Sequence, residues 1–278
     1  GYSQEEVAEF DSSETIDALE NTIILAGYEV IRIGNIFDLV KFLSAGKRCD
    51  IVFNICEGMY GIAREAQVPC LLDAYRIPYV FSEPEILNLT LDKALTKLVL
   101  KEDGILTAPF CVVHRAEDIG QVHLDYPLFV KPVAEGTSKG IDGYSLVKNK
   151  SGLIESVHYL LEKFKQPVLV ETYLSGREFT VGVLGTGENT RAIVAMEIIL
   201  NGEAPHLVYY YSVKKEWEKY VSYRIADDTA ARECIEAAVK IWRILKGKDA
   251  GRIDFRLDSH GRANLIEVNP LAGLNPVY

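Results

Sequence analysis

Gly251-Arg252-Ile253-Asp254-Phe255-Arg256-Leu257-Asp258 and, a few residues later, Leu265-Ile266-Glu267-Val268-Asn269-Pro270 form the stretch on which the fold turns. Two short apolar runs flank a polar turn from Asp258 to Arg262, the pattern of a β-hairpin. Strand side chains alternate faces, so Arg252 and Asp254 share one face, and Glu267 and Asn269 share one face of the partner strand. Two carboxylates, an amide oxygen and an arginine then converge. Hard oxygen ligands, with no His or Cys in either run, suit Mg²⁺, which takes one or two carboxylates plus substrate phosphates. A surface hairpin with its charges in water would explain a single Asp–Glu pair. Four polar groups in phase favour a site.

Working back from the hairpin, Thr229 to Leu245 has the period of an amphipathic helix, ended by Gly247. Arg191 to Leu200 and Glu178 to Leu184 read as strands, the latter entered through the turn Leu174-Ser175-Gly176-Arg177. Val168 to Glu171 and Leu128 to Lys131 are further strands, with a helix near Ser151 to Phe164 between them and another from Asp92 to Lys101. The first part alternates: helix from Ser12 to Ala26, strand from Tyr28 to Ile33, helix from Ile36 to Leu43, strand from Asp50 to Ile55, helix from Arg64 to Tyr75, strand from Pro78 to Phe81. Short alternating units imply a parallel sheet with helices on both faces. The fold class is therefore α/β, becoming α+β in the C-terminal half. Boundaries near residues 88 and 174 give a Rossmann-like unit over 1–88, a central unit over 89–174 and a C-terminal unit over 175–278. A strand is expected before Gly1, and the last unit is expected to continue past Tyr278.

Other stretches carry chemistry of their own. Glu135-Gly136-Thr137-Ser138-Lys139-Gly140 follows a strand that ends in Lys131. Glycines with small hydroxyl residues let successive backbone N–H groups face one anion, and Lys131 adds a point charge suited to phosphate. A plain β-turn is the alternative there, since neither a Walker A pattern nor a G-x-G-x-x-G is present. Glu171-Thr172-Tyr173-Leu174 sits at a strand end that can offer backbone groups to a planar heterocycle, and Glu178 can accept a ribose hydroxyl. The polar, aromatic tract from Tyr209 to Tyr220 reads as a lid or a solvated loop. Lys219 and Tyr220 within it are candidates for phosphate contact and gating.

The bulk of the chain narrows the field. A net charge of -10 and the lack of any Lys/Arg-rich run argue against nucleic acid or an anionic membrane as partner. No apolar stretch reaches the ~18 residues that a membrane span needs, and no signal peptide opens the sequence. Five cysteines scattered without a C-x-x-C suit reduced thiols and a cytoplasmic protein better than disulfides or zinc.

Taken together, these blocks resemble the ATP-grasp carboxylate–amine ligases, and within them the D-alanine–D-alanine ligase branch. The resemblance runs from about Asn54 to Asn275. Seven blocks carry it, in the family's order. They are Asp92-Lys93 with Thr96-Lys97; Val130-Lys131-Pro132; Glu135-Gly136-Thr137-Ser138; Glu171 with Leu174-Ser175-Gly176 and Glu178; Glu218-Lys219-Tyr220; Arg252-Ile253-Asp254; and Glu267-Val268-Asn269 with Gly273. The resemblance implies ATP and two Mg²⁺ ions, with small amino-acid-like substrates. Lys97 and Lys131, with Glu135 and Ser138 of the loop, resemble the phosphate-holding groups. Glu171 and Leu174 resemble the adenine-contacting hinge, Glu178 the ribose acceptor and Lys219 the γ-phosphate lysine. Asp254, Glu267 and Asn269 resemble the metal ligands. Arg252 and the Gly273 amide resemble the groups that stabilise the tetrahedral intermediate, and Thr137 and Tyr220 the pair that closes the lid. A homodimer is left open.

The substrate half departs from the family. Its His-Gly motif is Glu57-Gly58 here, and the glutamate that anchors the first amino group has only Glu9 or Asp11 as nearest matches. A carboxylate at 57 would repel a carboxylate-bearing substrate unless Arg64 neutralises it or it caps the following helix. D-Alanine is therefore expected to be a poor substrate, and an amine-rich or larger one is expected to be preferred.

Overall fold

The structure is a computed structural model that describes residue 7 and residues 9–200 and 221–274. Helix α1 (Ser13–Leu25) starts where the Ser12 hydroxyl accepts the Thr15 N–H, and α2 (Ile36–Ser44) starts where Asn35 caps Phe37. A 3₁₀ turn over Arg64–Ala66 runs into α3 (Gln67–Tyr75). Leu39 and Leu43 of α2 pack with Val68 and Leu72 of α3, and with Ile77 and Tyr79.

The expected parallel sheet is reduced here. The segments at 28–33, 50–55 and 78–81 run extended, but among the described residues they share one parallel pairing, Val52 with Tyr79. A ladder needs a partner on each side, and Ile31, Ile51 and Phe53 remain exposed. The boundary expected near residue 88 falls inside α4 (Pro84–Leu91), a helix that opens on proline at its first turn.

Beyond it, α5 (Lys93–Glu102) is capped by Asp92, whose carboxylate accepts the Leu95 N–H at 2.9 Å. An antiparallel sheet follows: β1 (Phe110–Val113), β2 (Leu128–Pro132), β3 (Leu146–Val147) and β4 (Val168–Thr172), in the order β1-β4-β2-β3. Alternation splits its faces. Leu128, Val130, Val168 and Val170 pack under α6 (Lys150–Phe164). Leu169 faces the other way, against Leu91 and Ala94, and Lys131 and Glu171 share that second face.

The second sheet is also antiparallel: β5 (Glu178–Leu184), β6 (Arg191–Leu200), β7 (Val221–Ile225), β8 (Ala250–Leu257) and β9 (Ala263–Asn269), in the order β7-β6-β5-β8-β9. Phe179, Val181 and Val183 of β5 and Ile253, Phe255 and Leu257 of β8 pack under α7 (Thr229–Ile244), which contributes Cys234, Ala238, Ile241 and Trp242. This leaves the alternate residues Glu178, Thr180, Arg252, Asp254 and Arg256 together on the opposite, polar face. Val221 to Tyr223, at the start of β7, pair with Leu200, Ile199 and Ile198 of β6.

Candidate active site

The opening hairpin delivers the phase that its sequence implies. Arg252 pairs with Asn269 and Asp254 with Glu267, and the register then slips between Asp254 and Phe255. Such a bulge bends the strand and re-aims its side chains. Asp254 is the best-held group. Its carboxylate accepts the Thr180 hydroxyl at 2.6 Å, the Asn269 amide at 3.1 Å, and both Nε and an amino nitrogen of Arg252 at 3.1 Å. Glu267 faces Lys93 of α5 at 3.3 Å. Among the described residues no cluster of three or more His, Cys, Asp or Glu gathers in a metal-holding geometry. The donor set nevertheless fits Mg²⁺, because that ion needs only one or two carboxylates when phosphate oxygens complete its shell.

Glu171 is the centre of the other sheet's contribution. Lys131 lies 2.7 Å from one carboxylate oxygen and Lys97 lies 3.1 Å from the other. Burial alone would raise this acid, but Lys131 and then Lys97 outweigh it and draw its pKa down to about 2. Burial lowers the Lys97 pKa, against the pull of Glu171. The Lys97 ammonium also donates to Thr107 Oγ1 at 2.9 Å and to the Leu265 carbonyl at 2.8 Å. Two of its three donors are used in these bonds, and its charge faces Glu171 as an ion pair. Phe129 stacks on Tyr173, with Lys131 5.8 Å from the Phe129 ring centre. Leu174 is buried. Glu178 pairs with Arg256 at 3.3 Å, and Arg256 also binds the Tyr173 hydroxyl.

The loop after β2 joins the two halves. Thr137 and Ser138 are both left-handed, at φ 49° and 57°, a conformation that costs non-glycine residues and concentrates at functional sites. Gly140 is left-handed too, and a Cβ there would collide with Pro132 and Phe164. Lys93 donates to the Glu135 carbonyl, so one lysine spans from the loop to Glu267. Gln166 holds the loop from behind, accepting the Ala134 N–H at 2.7 Å and donating to Glu135 at 2.6 Å.

The N-terminal unit closes the loop's other side. Glu9 accepts the Gly136 N–H at 2.8 Å, and a Cβ on Gly136 would lie 2.7 Å from that same carboxylate oxygen. Arg64 binds Glu9 at 2.9 Å and the Ala134 carbonyl at 3.0 Å, while Lys139 lies 3.1 Å from Glu9. Burial tends to raise Glu9, and Arg64 and Lys139 overcome it to leave the acid lowered. Glu57 does not cap the following helix: neither the 3₁₀ turn nor α3 has a side-chain cap. It lies instead in a group of acids. Burial first, then the charges of Glu65 and Glu9, push Glu57 up to about 9 despite Arg64. Burial likewise raises Glu65 to about 7.

Of the residues singled out in the sequence, Asp254, Glu267, Asn269 and Arg252 come together on the hairpin, and Lys97, Lys131 and Glu171 come together across the cleft. Glu135, Thr137 and Ser138 lie in the connecting loop. Gly273 is described at the end of the chain, where it is exposed. Lys219 and Tyr220 lie outside the described residues. Lys93 and Lys139 were given no role by sequence reasoning, although Lys93 stands beside Asp92 in a motif already noted.

A family model described as the D-ala D-ala ligase C-terminus matches residues 99–277. A D-alanine–D-alanine ligase of Actinobacillus pleuropneumoniae is 32% identical over 282 residues, covering 99% of this chain and 86% of that one. The chain belongs to the D-alanine–D-alanine ligase family. The Bordetella petrii D-alanine–D-alanine ligase is 34% identical, over 85% of this chain and 70% of its own length. In structure, the chain resembles the Bacillus anthracis D-alanine–D-alanine ligase complexed with ATP, with a TM-score of 0.76 at 20% identity, over all of this chain and 85% of that one. That likeness establishes the ATP-grasp fold. As a member of this family the chain is an ATP-dependent carbon–nitrogen ligase of the ATP-grasp type. Among the described residues no helix is long and apolar enough to cross a membrane.

Proposed function

We propose that the protein joins the carboxylate of one amino-acid-like substrate to the amine of a second through an acyl phosphate, with ATP as phosphoryl donor. In this reading a carboxylate oxygen attacks the γ-phosphorus and ADP leaves. The amine then attacks the acyl carbon, loses a proton, and the tetrahedral oxyanion collapses with release of phosphate. Asp254, Glu267 and Asn269 would hold Mg²⁺, which neutralises charge on the transferring phosphoryl group. Lys131, with Glu135, Thr137 and Ser138, orients the phosphates. Glu171 and Leu174 receive the adenine, and Glu178 the ribose. Arg252 and the Gly273 N–H act as the oxyanion hole, the kind of donor whose loss costs ~10²–10³ in kcat. Lys219 and Tyr220 belong to the same reading as groups of the closing lid.

One observation carries most of the weight: the register that sets Asp254 opposite Glu267 and Arg252 opposite Asn269, on the polar face of the sheet. The geometry tempers the part given to Lys97. With hydrogen bonds to Thr107 and Leu265 and an ion pair to Glu171, it fits a group that fixes Glu171 and β9 better than one that grips phosphate directly.

The test is phosphate release from ATP with Mg²⁺ and a panel of D- and L-amino acids. Glu267→Gln is expected to fold normally and to lose at least ~100-fold in turnover. Near-normal release from that variant would remove the metal assignment.

A further inference from the structure

Arg256 joins the end of the first sheet to the start of the second. It stands directly opposite Glu178 in the pairing of β5 with β8, on the polar face. Its three guanidinium nitrogens go to three different groups. Nε donates to the Gly176 carbonyl at 3.3 Å, and one amino nitrogen donates to the Tyr173 hydroxyl at 3.2 Å. The other amino nitrogen lies 3.3 Å from a Glu178 carboxylate oxygen. The guanidinium carbon also sits 5.1 Å from the Tyr173 ring centre. With its side chain only 14% exposed, Arg256 is part of the wall rather than a solvated surface charge. A planar fork fixes the relative position of the groups that it joins, which a flexible ammonium does not.

The joined groups belong to different parts of the fold. Tyr173 follows β4, donates its N–H to the Pro127 carbonyl at 3.0 Å just before β2, and stacks its ring on Phe129. Glu178 opens β5. Between them the turn runs so close to β8 that a Cβ on Gly176 would lie 2.6 Å from the Leu257 carbonyl oxygen. Moving that turn costs Arg256 at least one of its bonds. Two residues along β8, on the same face, stands Asp254. One ladder thus carries the acid assigned above to the ribose and the acid assigned above to the metal, in the order in which a nucleotide presents ribose and phosphates. A carboxylate offers about four lone-pair sites, so the contact with Arg256 does not exhaust Glu178 as an acceptor for a hydroxyl.

We propose that Arg256 is a positioning residue that sets nucleotide specificity: by fixing Glu178 against Tyr173 and the Gly176 turn, it makes the site select a nucleotide with an intact ribose. This rests on the ligase reading above. Arg256 acts through Glu178, which is the group that meets the hydroxyl.

The experiment is calorimetric titration of the full chain, in Mg²⁺, with ADP, 2′-deoxy-ADP and 3′-deoxy-ADP, so no amino-acid substrate is needed. The wild type is expected to bind ADP roughly 10- to 100-fold more tightly than at least one deoxy analogue, the range of a charged hydrogen bond. Arg256→Met is expected to weaken ADP by about tenfold or more and to leave that analogue nearly unchanged, so that the selectivity collapses. Arg256→Lys keeps the charge but loses the fork, and is expected to lose most of the selectivity as well. A general loss of integrity would weaken all three nucleotides alike, and that result in a folded Arg256→Met would overturn the proposal. Should Arg256→Met fail to fold, the same ratio in Arg256→Lys decides. Selectivity retained by the variants would sink the positioning role alone and leave the ribose role of Glu178 standing. Equal binding of the three nucleotides by the wild type would remove that ribose role, and the proposal with it.

Discussion

Glu171 and Glu65 are the same residue type, each less than a tenth exposed. Their environments drive them in opposite directions. Glu171 has two lysines within 3.1 Å and stays ionised far into acid. Glu65 has no committed base, and burial raises it towards neutrality. The first region is balanced in charge within the chain. The second has no ion pair to offset its burial among the described residues. Burial is common to both, so it cannot be what sets their opposite shifts; the local charge balance is.

The hardest way to break this comparison is to remove the acid from the balanced region. Glu171→Ala leaves Lys97 and Lys131 without their shared counter-charge, and unfolding in urea is expected to show a loss of about 3–5 kcal/mol. Lys97→Met should cost less, about 1–3 kcal/mol, because Lys131 still pairs with Glu171 at 2.7 Å. If the two variants lost equal stability, the lysines would not be sharing one acid.

The pH dependence should divide along the same line. Glu57 and Glu65 have raised values in the fold, so their contribution is fully present below the unfolded carboxylate range. It is lost as pH rises through about 7 and then about 9. Glu171 has the opposite sign: its contribution is present above that range and lost as pH falls towards 2. Urea midpoints should therefore drop between pH 5 and pH 8. Glu57→Gln should recover about 1–3 kcal/mol at pH 8 and little at pH 5. A midpoint that rose steadily from pH 5 to pH 8 would mean that these acids are paired after all.

The smallest effect sharpens the comparison most. Glu65 is the largest charge acting on Glu57. At pH 8 the double variant Glu57→Gln with Glu65→Gln should therefore gain less than the two single gains added together. The shortfall should be about 1 kcal/mol, within the usual coupling of neighbours. Strict additivity would show that the two carboxylates do not sense each other.

The regions also differ in how far the sequence reveals them. Strands β5 and β6 and both arms of the hairpin announce themselves because each buries one face and wets the other, a period that survives without tertiary information. The hairpin's polar groups were readable for the same reason. Strand β1 and the two residues of β3 are too short to carry a period, and α4 was missed although Pro84 was there as a start signal. The first unit was read too regularly, since helices α2 and α3 follow their patterns while the extended segments between them hold one bridge. The pairings of the substrate side were out of reach for another reason. Glu9 meets Gly136 across 127 residues and Arg64 meets Ala134 across 70. No local spacing encodes such partners; only the docking of the first unit against the loop creates them.

Lys97 has one further consequence, mechanical rather than chemical. Its ammonium fastens the side chain of Glu171 in β4, the hydroxyl of Thr107 and the backbone of Leu265 in β9 to a single point. Two sheets pinned there cannot move apart in parallel without pulling a buried charge away from three oxygens. The inexpensive motion is rotation about the pin, as a pair of shears opens about its rivet. Such a joint fixes the depth of the cleft while leaving its mouth free to widen, so the two sheets return to the same alignment each time they close.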